Sequence, residues 1–217
     1  PDYLYLHEKN YFSFLKAIEA TVETFYGKTV SKSKDYGRIV NRRHFDRIVS
    51  LLDDAKEKGA QVLFGGTIDA DDCFIAPTVL INCTPDMRIM QEEIFGPLLP
   101  ILSYEKEEDI KTIIARFEKP LALYVFSENK RFSEKIIKQY SFGGGCINDT
   151  VVHFSNKRLP FGGVGHSGIG AYHGSLSFDV FSHKKGIVKK ANWLDLTLRY
   201  APYNGKLTLI KKILKWL

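Results

Sequence analysis

LPFGGVGHSGIGAYHG, residues 159–174, places Gly163, Gly165 and Gly168 in the spacing G-x-G-x-x-G. In a dinucleotide-binding turn that spacing follows directly on an apolar strand and opens a helix. It also has an acidic residue about twenty positions further on for the ribose. None of these conditions is met. The approach is SNKRLPF, with Pro160 and two cations; the exit, AYHGSLSFDVF, lacks helical periodicity, and its acid, Asp179, comes too early. The glycines read instead as a compact turn that lets backbone pass close to another element.

Outward from this turn the chain alternates between two periods. Upstream, LALYVFS is apolar without alternation, as in a strand covered on both faces, and ENKRFSEKIIKQY is a helix capped by Ser127. GGGCIND returns to strand. Before these, GPLLPILSYE reads as a buried strand and KEEDIKTIIARFEK as a helix with Ile110, Ile113, Ile114 and Phe117 on one face. AQVLFGG and CFIAPTVLINC read as strands separated by a polar turn. Near the start, Tyr11, Leu15, Ile18, Val22 and Phe25 step at helical spacing and stop at Gly27. Phe45, Ile48, Val49 and Leu52 repeat the pattern between Asn41 as N-cap and Gly59. Strands alternating with such helices predict βαβ units, hence an α/β fold built on a parallel sheet.

Composition narrows the function classes. The chain has 217 residues, of which 44% are hydrophobic, enough for a substantial core. It contains no run of about 18 apolar residues that would span a membrane. Nothing at its start reads as an export signal, and Pro1 in place of Met suggests a piece of something longer. Cys73, Cys83 and Cys146 are odd in number and share no C-x-x-C spacing, so neither a metal site nor a disulfide framework is expected; the simple reading is a reducing, cytoplasmic compartment. Of the net charge of +6, residues 184–217 supply +8, from nine Lys or Arg against Asp195, leaving −2 for the rest. The basicity belongs to the tail, and no nucleic-acid-binding motif accompanies it, so a nucleic acid partner is not expected.

Several stretches, in order, carry a family resemblance. QEEIFGPLLPI (91–101), KPLALYVFS, GGGCINDTVVH, LPFGGVGHSGIGAYHGSLSFDVFSH and LRYAPY resemble the C-terminal half of the class-3 branch of the aldehyde dehydrogenase superfamily, which includes the fatty and medium-chain aldehyde dehydrogenases. The resemblance runs from the first residues to about Tyr203. It implies that the nucleophilic cysteine lies three positions before Pro1, with the general-base glutamate, the oxyanion-hole asparagine and the nucleotide-binding sheet further upstream. On that reading the chain has no catalytic residue of its own and is inactive alone. Residues 1–182 would be the C-terminal part of the catalytic domain, and 183–217 an oligomerisation strand with a basic tail.

The same resemblance implies roles for named residues. Glu93 matches the glutamate that holds the nicotinamide ribose hydroxyls of NAD or NADP; an ionised carboxylate accepts two hydrogen bonds from a vicinal diol. Phe95 matches the aromatic that packs near the nicotinamide. Glu92 reads as a structural acid. Val151, Phe154, Ser155 and His173 match positions lining an aldehyde tunnel suited to aliphatic or aromatic substrates, although each alone also reads as core or structural. Asn148 reads as a turn former. Cys146 with His153 has the residue types of a nucleophilic pair, but Cys146 falls in an apolar strand, where a thiol is usually inert. Cys73 follows two aspartates, which blunt a thiolate.

FDVFSHKKGIVKKA resembles the family segment that reaches a partner subunit, which implies a homodimer. In KLTLIKKILKWL (206–217), Leu207, Ile210, Leu214 and Leu217 share a face with Lys211, Lys212 and Lys215 largely opposite, which suits an anionic membrane surface. Twelve residues give too little apolar area for firm attachment alone, however, so packing on its own protein or on the other subunit is the favoured reading. Two rivals stand beside the oxidation of aldehydes to carboxylic acids: a non-catalytic module acting through dimerisation or this helix, and a relative of the same fold that makes acyl-CoA or reduces an acyl phosphate.

Overall fold

A computed structural model describes the chain except for Leu196, Thr197, Arg199 and Leu217. Part of the LRYAPY stretch and the last residue of the tail's apolar face therefore lie outside the described residues. The core gathers around helix α2 (Arg42–Glu57), which Asn41 caps by accepting the His44 N–H at 3.0 Å. Phe45, Ile48, Leu51, Leu52 and Ala55 recur at three- and four-residue spacing and are all buried. They pack on a four-stranded sheet of order β1-β6-β5-β2, comprising β1 (Leu4–His7), β2 (Gln61–Phe64), β5 (Thr78–Ile81) and β6 (Leu98–Tyr104). β1, β6 and β5 run parallel, as the βαβ pattern predicts, whereas β2 joins β5 antiparallel.

CFIAPTVLINC is two strands, not one. β4 (Phe74–Ile75) pairs antiparallel with β3 (Ile68–Asp69), and β5 begins only after Pro77, which has no N–H to give a ladder. β1 itself is a strand that the periodicity did not mark, because its four residues are too few to show alternation.

The second unit is a parallel pair, β7 (Ala122–Val125) and β8 (Gly144–Ile147), joined through α4 (Lys130–Gln139) and flanked by α3 (Glu107–Ile114). Ile110, Val125 and Ile136 form its small core. β7 is not covered on both faces as its composition suggests: only Val125 is buried. The cap of α4 is Asn129, which accepts the Phe132 N–H at 3.2 Å, while Ser127 accepts the Asn129 N–H one turn earlier. Helix α1 (Tyr11–Tyr26) ends at Gly27 as expected, with φ 77°, but buries no residue outright. Phe25 is exposed, and Tyr26 takes the inward place against Tyr36, at 5.0 Å between ring centroids.

Residues 159–174 form the close-packed turn that their glycines require. Phe161 and Tyr172 exchange both backbone hydrogen bonds, at 2.9 and 3.0 Å, and a 3-10 turn at Gly165–Ser167 fills the loop between them. The Val164 N–H donates to Ser167 Oγ, so this donor is used inside the loop and not aimed at a phosphate. A methyl on Gly163 would sit 2.0 Å from the Ser167 carbonyl oxygen, and one on Gly143, just before β8, 2.3 Å from that of Gly162. One expectation fails: helix α6 (Gly174–Val180) does follow the turn, after the short helix α5 (Val152–Ser155), although its seven residues show no apolar period. Gly163→Ala is expected to lower stability by about 1–3 kcal/mol or more through that backbone clash. Gly165→Ala, which has positive φ but whose methyl would only touch the Lys119 side chain at 3.7 Å, should cost only about 1 kcal/mol. Urea unfolding of the two variants checks the difference.

Candidate functional site

Between α2 and β6 the chain passes through QEEIFGP, residues 91–97, and this loop is held from both sides. Arg47, on α2, donates to the carbonyl oxygens of Glu93 at 3.1 Å and Ile94 at 2.6 Å. From the other side, the Ile94 N–H donates to the Asp2 carboxylate at 3.1 Å. Ile94 is buried in the main core, and Gly96 lies so close to Ile48 that an added methyl would stand 2.7 Å from its Cδ1. With its backbone pinned in this way, the loop presents the side chains of Glu93 and Phe95 outward, both exposed.

Glu93 and Phe95 open on a cleft of about 630 Å³ that runs past Asp2 and Tyr3 to the residues of β7 and to Phe132 and Tyr140 on and beside α4. This volume falls in the usual range for small-molecule sites, about 300–1,000 Å³. Desolvation raises the Glu93 carboxyl above the usual carboxylate range; the Asp2 charge adds to the shift, and Arg47 opposes it. Glu92 does what a structural acid does, pairing with Arg88 at 2.9 Å one helical turn away.

The four tunnel candidates do not line this cleft. Phe154 and His173 meet in an aromatic cluster around Phe161, and Val151 and Ser155 flank Phe154 at the two ends of α5. Phe154 lies 4.9 Å from Phe161 edge to face, and His173 stacks on Phe161 at 6.0 Å. Val151 and Phe154 are exposed. Ser155 Oγ donates to the Val152 carbonyl at 3.0 Å, a local helical bond. His173 Nδ1 is buried with no partner among the described residues.

Several of these residues have left-handed backbone. Among the described residues six non-glycines have positive φ, and four of them are Phe95 (46°), Asn148 (58°), Val151 (64°) and His173 (93°). A β-branched valine in that region is a genuine outlier, and such strain concentrates where function demands it. Asn148 shows the structural role expected of it: its amide accepts the Ser127 N–H at 2.8 Å and donates to the Ser127 carbonyl at 3.2 Å, tying the ends of β7 and β8 together.

The cysteines differ in kind. Burial pushes the Cys83 thiol up to about 11, so it stays protonated and inert. Cys146 Sγ does lie 3.5 Å from His153 Nδ1, so the pair considered from the sequence is in contact. His153, however, is buried against Gly144 with its Nε2 unpartnered among the described residues, and Cys146 is itself only partly exposed. The described residues contain no cluster suited to a metal ion. Two residues of the site escaped the sequence reading, Arg47 and Asp2. Arg47 reads there as one more polar residue on the outer face of α2, and only the fold brings it to the loop.

The profile of the aldehyde dehydrogenase family matches residues 1–187. The chain belongs to the aldehyde dehydrogenase family. Among its relatives, the 4,4'-diaponeurosporen-aldehyde dehydrogenase of Staphylococcus aureus is 46% identical over 99% of this chain and 46% of its own length. Aldehyde dehydrogenase family 3 member H1 of Arabidopsis thaliana is 45% identical over 98% of this chain and 44% of its own. The dimeric NADP-preferring aldehyde dehydrogenase of Bos taurus is 43% identical over 92% and 81%. The substrate-bound structure of Staphylococcus aureus AldH superposes with a TM-score of 0.85 at 45% identity, covering 99% of this chain and 46% of that one. The chain thus spans about half the length of the first relatives it matches, and its α/β fold is that of the aldehyde dehydrogenases.

Proposed function

We propose that this chain forms the coenzyme-ribose and aldehyde-entrance side of an NAD(P)-dependent dehydrogenase that oxidises aldehydes to carboxylic acids through a cysteine thioester. The observation that carries the reading is the Glu93–Phe95 loop, clamped by Arg47, Asp2 and Ile48 so that one carboxylate and one aromatic ring face a cleft of small-molecule size. A carboxylate there fits the vicinal hydroxyls of a nicotinamide ribose, accepting a charge-assisted hydrogen bond from each. When bound, the nicotinamide supplies the hydride acceptor. Glu93 orients the ribose, Phe95 offers an apolar surface beside it, and Arg47 and Asp2 hold the loop in register.

None of the three thiols suits the nucleophile: Cys83 is buried and protonated, Cys146 sits in β8 against a buried histidine, and Cys73 follows Asp71 and Asp72. We assign the thiolate and its base to the part of the longer relatives that this chain does not match, so the chain alone is inactive. The aromatic cluster of exposed Phe154 and Tyr172 around the half-buried Phe161 gives an apolar wall for an aliphatic or aromatic aldehyde. The exposed Ile187 and Val188, together with the dimeric name of the bovine relative, support a homodimer.

The test is aldehyde-dependent formation of reduced nicotinamide by the full-length protein, measured separately with NAD and NADP across aldehydes of increasing chain length. Turnover that rises with apolar chain length supports the reading. A folded, coenzyme-binding protein that reduces neither coenzyme with any aldehyde overturns it in favour of a non-catalytic module.

A further inference from the structure

Residues 206–217, KLTLIKKILKWL, contain α7 (Leu207–Leu214), whose two faces separate almost completely. At 3.6 residues per turn, Thr208, Lys211, Lys212 and Lys215 fall within an arc of about 100°. Leu207, Leu209, Ile210, Ile213, Leu214 and Trp216 fill an opposite arc of about 180°. The apolar arc has little cover: Leu207, Leu209, Leu214 and Trp216 are 62%, 51%, 65% and 94% exposed, and only Ile210 among these apolar residues is half-buried. Among the described residues Lys211, Lys212 and Lys215 have no ion-pair partner, and all three are exposed.

We propose that α7 lies on an anionic lipid surface, its apolar arc sunk among the acyl chains and its lysines at the headgroups. Charge complementarity selects this occupant. The stretch contains no Asp or Glu, and residues 184–217 carry +8 with Asp195 as their one acid, so the tail as a whole is drawn to a surface of negative charge. A helix docked on its own protein would show its lysines to water, where three cations without an acid add nothing to packing. On an anionic bilayer each of them is attracted. Trp216, at the end of the apolar arc, is the residue type that settles at an interface, with its ring in the apolar layer and its N–H toward water. Eight helical residues give reversible attachment, dependent on salt and lipid charge, rather than a permanent anchor. The inference is independent of the aldehyde chemistry of the cleft, and it adds a membrane-surface location for the site.

Co-sedimentation of the protein with phosphatidylcholine vesicles, with and without phosphatidylglycerol, tests it. The expected result is binding to the phosphatidylglycerol vesicles alone, released by added salt. The K211E/K212E/K215E variant should lose roughly 100-fold or more in partitioning. Because those lysines lie on the exposed face, the variant should keep its thermal unfolding temperature, and so should Leu214→Ser. Wild-type protein that stays in the supernatant with both vesicles, or pelleting that the charge reversal leaves unchanged, overturns the proposal. A Leu214→Ser variant that unfolds at lower temperature without lipid also overturns it, because the apolar arc would then be packed on protein or on a second copy.

Discussion

Glu93→Gln is expected to slow aldehyde oxidation by the full-length protein by roughly 10- to 100-fold, and to raise the KM for coenzyme while leaving that for aldehyde nearly unchanged. The size follows from what is lost. A hydrogen bond to a charged group contributes about 1.5–3 kcal/mol, and about 1.4 kcal/mol is a factor of ten. The amide keeps one acceptor oxygen but puts a donor where the second hydroxyl needs an acceptor, so one bond goes and the charge assistance of the other goes with it. The backbone around residue 93 should not move, because Arg47 and Asp2 hold main-chain groups and Ile94 is anchored in the core. The pH profile carries the same signature. Only the ionised carboxylate accepts from both hydroxyls, so coenzyme affinity should fall as pH drops through the Glu93 pKa. Desolvation and the Asp2 charge set that pKa above the usual carboxylate range, so this loss begins at higher pH than for a free glutamate. Glu93→Gln should flatten that limb. Steady-state kinetics of wild type and variant across pH give all three readouts.

Ile48→Ala is the second large effect and concerns the loop from below. Ile48 is fully buried, and its Cδ1 fills the space where Gly96 has no side chain. Truncation removes the transfer energy of the missing carbons and leaves a cavity, together about 2–5 kcal/mol. For a chain of this size that corresponds to a fall in unfolding temperature of roughly 5–15 °C. Gly96→Ala alone should also destabilise, by about 1–3 kcal/mol, because its methyl meets the isoleucine. The double variant should be more stable than the two single costs imply, since the new methyl occupies part of the space that Ile48 vacated. A coupling of about 0.5 kcal/mol or more in a double-mutant cycle of urea unfolding confirms the contact. Strict additivity would mean that the loop does not rest on α2 at this point.

The helices were legible because their signals were local. Asn41 and Gly27 sit where a cap and a stop must sit, and the spacing of Phe45, Ile48 and Leu52 on α2 translates directly into burial. The strands were legible as apolar runs, but their partners were not. Nothing in Gln61–Phe64 says that it pairs antiparallel in a sheet that is otherwise parallel, and β1 is too short to alternate visibly. Helix α6 was missed because seven residues beginning with a glycine give no period to count.

At the site, the family motif singles out Glu93 and Phe95, and the fold sets both beside one cleft. The supports, Arg47 and Asp2, are remote in sequence from the loop they hold, at separations of 46 and 92 residues, and no local pattern reports a contact of that kind. The strained φ at Phe95 and Val151 was equally invisible, since neither phenylalanine nor valine ordinarily accepts a left-handed backbone.

The measurement that bears most directly on the role of Glu93 is a cycle in coenzyme affinity. The Kd of oxidised coenzyme, and of an analogue lacking the nicotinamide-ribose hydroxyls, would be measured on the wild-type protein and on Glu93→Gln. If the carboxylate holds the diol, removing the hydroxyls and removing the charge cost the same interaction, and the analogue binds both proteins about equally. If the analogue loses as much affinity for Glu93→Gln as for wild type, the two changes are independent, and the Glu93 carboxylate does not hold the ribose.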